Sequence, residues 1–139
     1  MDILVSFFLG HLVLSSAFHG QVRLNNQPLV GATIIREVKW AWNSEAITEK
    51  TQTDLNGVFK FNEIIKKSFS AKWLPHEPNI SLTYRLEYNG KSYLIFPYDK
   101  GNYDQYGEFP QKKPHQLICE LVPKENSQRL DVRCQLEKS

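Results

Sequence analysis

The sequence predicts an all-β domain, a single antiparallel β-sandwich of seven or eight strands. Three observations carry that expectation. Apolar and polar residues alternate with a period of two over several runs, most cleanly in Ile80-Ser81-Leu82-Thr83-Tyr84-Arg85-Leu86-Glu87-Tyr88. Turn signals recur every eight to twelve residues, among them Asn25-Asn26, Asp54-Leu55-Asn56-Gly57 and Asn89-Gly90. Aromatic residues make up 12% of the chain, beside many Val, Ile and Thr, and these side chains suit a pleated, half-buried surface. A length of 139 residues with 41% apolar side chains fits one domain around one core.

The N-terminus opens with Ile3–Leu14, a mostly apolar run of twelve residues. It is too short to span a bilayer comfortably as a helix and has the length of a signal-peptide h-region. Ser15-Ser16-Ala17 places small residues for a cut before Phe18. Against export stand the absence of Lys or Arg before the run, the presence of Asp2, and His11 within it. The alternative is a buried first strand or an N-terminal helix. The expected division is 1–17 as signal peptide or hydrophobic segment and 18–139 as the sandwich, with no stable membrane span after cleavage.

Phe18–Leu24 reads as a strand with Phe18, Gly20, Val22 and Leu24 on one face. Asn25-Asn26 turns the chain, and Pro28 marks a second reversal or a strand edge because it cannot donate to a ladder. Ala32–Trp42 is the longest strand candidate, with Ile34, Arg36, Val38, Trp40 and Trp42 sharing one face. Asn43-Ser44-Glu45 is a turn, Ala46–Thr53 the return strand, and Val58–Phe61 continues the meander with Phe59 and Phe61 inward. Residues 62–74 are the least strand-like part, and Glu63–Phe69 is expected to form one or two helical turns. Ile80–Tyr88 and Lys91–Tyr98 flank Asn89-Gly90, the strongest two-residue hairpin signal in the chain. Lys100–Lys113 is then a long polar and aromatic loop.

Two runs containing the cysteines close the domain. Leu117-Ile118-Cys119-Glu120-Leu121 and Val132-Arg133-Cys134-Gln135-Leu136 lie on either side of the polar turn Pro123–Arg129. In a hairpin centred between Asn126 and Ser127, facing residues have numbers that sum to 253, which opposes Cys119 to Cys134, Leu121 to Val132 and Leu117 to Leu136. Directly opposed cysteines of a non-hydrogen-bonded pair are close enough to bridge. In an oxidising compartment a disulfide follows; in a cytosolic protein the two would be reduced core cysteines.

Charge narrows the partners. Seventeen basic and fifteen acidic side chains give a net +2, spread without runs, which does not point to nucleic acid or an anionic membrane. No cofactor motif and no metal-ligand spacing stands out: the cysteines form no CxxC, and His11, His19, His76 and His115 form no HExxH. Asp54-Leu55-Asn56-Gly57 departs from a calcium loop and is explained by turn chemistry. His76 beside Glu77 is a weak acid/base or ligand candidate, since neighbours in extended chain point apart.

The stretch Gly20 to Phe59 resembles the carboxypeptidase regulatory-domain-like fold, a transthyretin-like β-sandwich. The matching positions are Gly20, Val22, Pro28, Leu29, Gly31, Ala32, Thr51, Thr53, Asp54, Asn56, Gly57 and Phe59. The remainder looks like a group of small bacterial proteins of unknown function built on that fold. The resemblance implies a sandwich that supports, binds or tethers rather than catalyses, and no peptidase or transporter domain follows within this chain.

Two surfaces are candidates for binding. Trp40 and Trp42 make a broad aromatic face, either core packing or a platform for sugar or protein. Tyr98, Tyr103, Tyr106 and Phe109 lie in or beside the loop among Asp, Asn, Gln and Gly, a composition suited to interfaces. The functional expectation is a non-catalytic, exported module that binds another protein, accessory or immunity-type, periplasmic or secreted, with the cytoplasm as the alternative place. Its main alternative is a binder of carbohydrate or an apolar molecule. A transthyretin-like hydrolase is more distant, since no cluster of His, Arg and Ser is visible in the sequence.

Overall fold

The computed structural model describes residues 11–42, 45–67, 76–124 and 129–139. Their elements are β1 (His11–Ser15), β2 (Phe18–Leu24), β3 (Gln27–Pro28), β4 (Thr33–Trp40), β5 (Ile47–Gln52), β6 (Val58–Phe61), β7 (Ile64–Lys67), β8 (Ile80–Tyr88), β9 (Lys91–Lys100), β10 (His115–Pro123) and β11 (Leu130–Lys138). One turn of 3-10 helix lies at Pro110–Lys112.

The alternation builds a β-sandwich. One sheet runs β5-β4-β8-β9, and the other runs β11-β10-β2, with β3 and β6 both pairing to β2. β1 and β7 form a separate two-stranded ribbon. Every pairing is antiparallel except β2 with β10, which run parallel. The chain between β2 and β10, which includes the whole of the other sheet, provides the crossover that a parallel neighbour requires.

The inward faces follow the period of two. On β4 the buried positions are Ile34, Arg36, Val38 and Trp40, the face expected from the sequence; Trp42 lies beyond the strand's end and is exposed. Ile80, Leu82, Tyr84 and Leu86 of β8 lie beside them. Val22, Phe59, Leu117, Cys119 and Leu121 fill the core from the other sheet. Phe18 joins the layers by packing on Tyr84 at 5.1 Å, Phe109 at 5.0 Å and Phe96 at 5.3 Å between ring centroids.

Turn chemistry also follows the residues. Asn25 and Asn26 take φ of 53° and 60°, and Asn89 and Gly90 take 49° and 73°, the left-handed values that suit a two-residue hairpin. The Asp54 carboxylate accepts the N–H groups of Asn56 and Val58 at 2.8 and 2.9 Å, and these bonds hold its pKa below the usual 3.8. β10 and β11 pair in the expected register, with Cys119 opposite Cys134, Leu121 opposite Val132 and Leu117 opposite Leu136. The disulfide Cys119–Cys134 is formed.

Three details depart from the expectations. Among the described residues the strands number eleven, the seven or eight expected plus the short pairings of β1, β3 and β7. Ile64–Lys67 is a strand and not a helical turn: β1 presents an edge, and pairing of Val13 with Ile65 overrides weak local preference. The rest of the expected helical turns, residues 68–69, lies outside the described residues, as do Asn43 and Ser44 of the expected turn. The strand expected at Lys91–Tyr98 runs two residues further, to Lys100. Just before β2, Leu12 and Leu14 pack in the core and Ser15 and Ser16 are buried. Among the described residues no helix is long and apolar enough to cross a membrane.

Candidate functional site

A buried polar network underlies the candidate surface. Arg36 sits on the inward face of β4 and is 0% exposed. Its guanidinium pairs with Glu49 on the neighbouring β5, with Nε to Oε1 at 2.9 Å, and donates to the carbonyl of Asn62 at 2.6 Å. Its other terminal nitrogen reaches Ser15 Oγ at 3.3 Å and the Ser16 carbonyl at 3.4 Å, and the group lies 4.8 Å from the centre of the Phe61 ring. The Tyr84 hydroxyl meets Ser15 Oγ at 3.1 Å; burial pushes its pKa above 10.0. Ser16 gives its N–H and hydroxyl to the two oxygens of buried Glu108, while Ser16 Oγ accepts the Tyr106 N–H at 2.7 Å.

Lys100, only 1% exposed, organises the loop that follows it. Its Nζ donates at 2.9 Å to each of three carbonyls, Val13, Asn102 and Asp104. Burial pushes the pKa of this amine below 10.5, opposed by the more distant charge of Glu108. The Asn102 amide closes the same loop on Asp104 N–H at 3.0 Å and Gly107 O at 3.1 Å.

The candidate aromatics fall into two groups. In the first, Trp40 is buried and its indole N–H donates to Tyr103 Oη at 3.0 Å. Tyr103 Oη also meets His76 Nε2 at 2.7 Å, and the His76 ring packs against Trp42 in a tilted pair with centroids 4.2 Å apart. Because an indole N–H only donates, the Tyr103 oxygen accepts from Trp40. Trp42, at the end of this row of contacts, is 38% exposed.

The second group runs along β9 into the loop. Tyr98 stacks nearly parallel on Phe96 at 6.0 Å and is as exposed as Trp42, at 38%. Phe109 is buried against Phe18 and Phe96, with Tyr106 stacked on it at 6.3 Å. Phe109 therefore supports the loop from the core, and Tyr98, Tyr103 and Tyr106 carry the accessible part of the tyrosine set.

His76 is the residue of this aromatic group that the sequence left undervalued. Its partner is Tyr103, 27 residues away, and Glu77, its chain neighbour, is exposed. No local spacing signals that contact. The Ser, Arg and carboxylate groups of the buried network are likewise the residue types of a hydrolase, but Ser15 and Ser16 are both 0% exposed and turned toward Tyr84, Arg36 and Glu108. Among the described residues no group of three or more His, Cys, Asp or Glu gathers as a metal site. A broad cleft of about 470 Å³ opens beside Phe18, His19, Lys60 and His115, where the His115 Nδ1 bonds the Lys113 carbonyl at 2.7 Å.

Residues 18–124, more than half of the chain, match the family described as Domain of unknown function (DUF6795). No curated protein and no solved structure matches.

Proposed function

Because the chain belongs to the DUF6795 family, whose function is not known, its role is argued from its own surface, and we propose a non-catalytic module that binds another protein. The observation that carries this reading is Trp42: an exposed indole braced by His76, which Tyr103 ties to buried Trp40. A rigid, partly exposed tryptophan loses little entropy on contact and makes a strong interface anchor. Tyr98 adds a second exposed ring, stacked on Phe96.

The same reading places the protein outside the cytoplasm, periplasmic or secreted, in an accessory or immunity-type role. The Cys119–Cys134 disulfide supports an oxidising compartment. The likeness to the carboxypeptidase regulatory-like, transthyretin-like sandwich belongs to this proposal too and rests on the Gly20–Phe59 positions together with the all-β architecture.

A second reading has its own observation. A flat indole at the surface also stacks on sugar rings, so Trp42 favours a carbohydrate ligand over an apolar one, the space between the sheets being filled by side chains such as Ile34, Leu82 and Leu117. Affinity capture from the native host's periplasm or medium separates the two, with wild type compared against Trp42→Ala and Tyr98→Ala. A protein retained by wild type and lost from both variants, at unchanged melting temperature, supports the first reading. Glycan retention without a protein sinks it.

A further inference from the structure

We propose that β11 is a self-association edge, pairing antiparallel with β11 of a second copy of this chain in the register that opposes Arg133 to Glu137.

β11 is a nine-residue strand bonded to β10 on one side, without a bulge in its register. The other edges described are guarded or short. β9 carries Pro97 and a register shift beside Ile95, β5 has six residues, and β3 has two. The geometry of the hairpin tells which backbone groups of β11 are not used by β10, and among the described residues no other strand pairs with them. The Cα atoms of Cys119 and Cys134 are 4.1 Å apart, the spacing of a non-hydrogen-bonded pair. The N–H and C=O of Cys134 therefore point away from β10, and so do those of Val132, Leu136 and Lys138. Two further contacts agree: Pro123, which has no N–H, stands opposite Leu130, and the Val132 N–H turns to its neighbour's Asp131 Oδ1 at 3.0 Å.

The side chains say what covers the edge. Val132, Cys134 and Leu136 face the core but are only half-buried, because the sheet ends at β11. An antiparallel second copy would cover them with the same three residues. The register is then chosen by the outward charges. Centring the pair on Cys134 opposes Asp131 to Glu137 twice, and centring on Arg133 sets that arginine against itself. Centring on Gln135 opposes Arg133 to Glu137 twice, sets Cys134 beside Leu136 on the inner face, and uses the outward N–H and C=O groups of Cys134, Leu136 and Lys138 and the outward C=O of Val132, whose N–H exchanges Asp131 Oδ1 for the second copy. Opposite charges on directly facing positions stabilise such a pair, and like charges oppose it. An isologous two-fold contact of this kind closes on itself and leaves no free edge at β11.

Sedimentation equilibrium of the oxidised full chain over a wide concentration range tests the proposal. A reversible dimer is expected, weakened about tenfold by Arg133→Glu or Glu137→Arg alone and restored in the double charge swap. Both side chains are exposed, so the variants should fold like the wild type, which the melting curve checks. Amide exchange gives a second reading: protection at Val132, Cys134 and Leu136 should rise with protein concentration, while Arg133 and Gln135 stay protected throughout by β10. A monomer at every concentration overturns the proposal. So does a dimer indifferent to the charge swaps, or a β11 edge that pairs only with a different protein.

Discussion

Glu108 accepts the Ser16 hydroxyl at 2.6 Å and the Ser16 N–H at 2.9 Å, across 92 residues of chain. The carboxylate thus fastens the segment just before Phe18 to the aromatic loop, and both partners are buried. Glu108→Ala leaves two buried donors without an acceptor and is expected to cost about 3 kcal/mol, read from urea unfolding. A chain beginning at Phe18 should fare worse. It lacks Leu12 and Leu14 from the core, the Ser15 and Ser16 partners of Arg36, and the Val13 carbonyl on Lys100. It is expected to lose its cooperative melt.

Lys100 holds the loop through three carbonyls, so Lys100→Met should loosen residues 102–106 and cost about 2 kcal/mol. The pH dependence has a definite sign. Burial puts the folded pKa of Lys100 below 10.5, so between the two values the unfolded chain holds the extra proton and stability rises with pH. Tyr84 acts oppositely: its folded pKa is raised above 10.0, so stability falls as the unfolded chain ionises first. Urea midpoints measured up to the alkaline limit should therefore rise and then fall. Lys100→Met should flatten the rise, and Tyr84→Phe should soften the fall. A midpoint that declines steadily with pH in wild type would contradict the Lys100 assignment.

What the sequence made legible here is what repeats along the chain. The period of two identified the inward face of β4, Arg36 included, and the turn residues fixed where the hairpins reverse. The Cys119–Cys134 register could be read because both runs carry the same alternation about one turn. The misses are contacts between distant residues. Nothing near Glu63–Lys67 announces that β1 will supply a partner edge, so propensity misled. Lys100, Glu108 and Ser16 look like ordinary polar residues until the fold brings them together. At the candidate site, Trp42 and the tyrosines were visible by type, but the bracing of Trp42 by His76 was not.

The disulfide gives a prediction that does not depend on function. It closes a loop with a sequence separation of 15, for which the chain-entropy estimate is about 3 kcal/mol. Reduction, or replacement of both cysteines by alanine, should lower the melting temperature by roughly 10 °C. The β10–β11 register should survive, because Leu117–Leu136 and Leu121–Val132 still face one another. Unchanged melting under reductant would show that the bridge is absent from the purified protein, which intact mass checks directly.

At Gly20 β2 lies close against β10 and the Phe59 ring of β6. A Cβ there would strike the Leu117 carbonyl and come within 2.6 Å of the Phe59 ring. Both are buried and neither can withdraw, so Gly20→Ala should cost upwards of about 3 kcal/mol as overpacking. Gly31 offers the contrast. It has φ of 76° and nothing within 4 Å of an added Cβ, so Gly31→Ala carries only the backbone penalty, on the order of 1 kcal/mol. Thermal melts of the two variants side by side should rank them in that order; the reverse order would mean that β2 and β10 are not packed as described.

Arg36 combines a planar fork with full burial, and a lysine cannot replace that combination. Its guanidinium serves Glu49, Ser15 Oγ and the carbonyls of Ser16 and Asn62 from one rigid plane, over the Phe61 ring. Arg36→Lys offers three donors on a flexible stem, so at least one of these acceptors is left without a partner inside the core. The expected loss is about 2 kcal/mol or more, close to that of Arg36→Met. A double-mutant cycle with Glu49→Gln, whose side chain is partly exposed, separates the ion pair from the rest. If the Asn62, Ser15 and Ser16 contacts dominate, Arg36→Lys remains damaging in the Glu49→Gln background. A lysine that restored full stability there would show that the charge on Glu49 was the main reason for an arginine at this position.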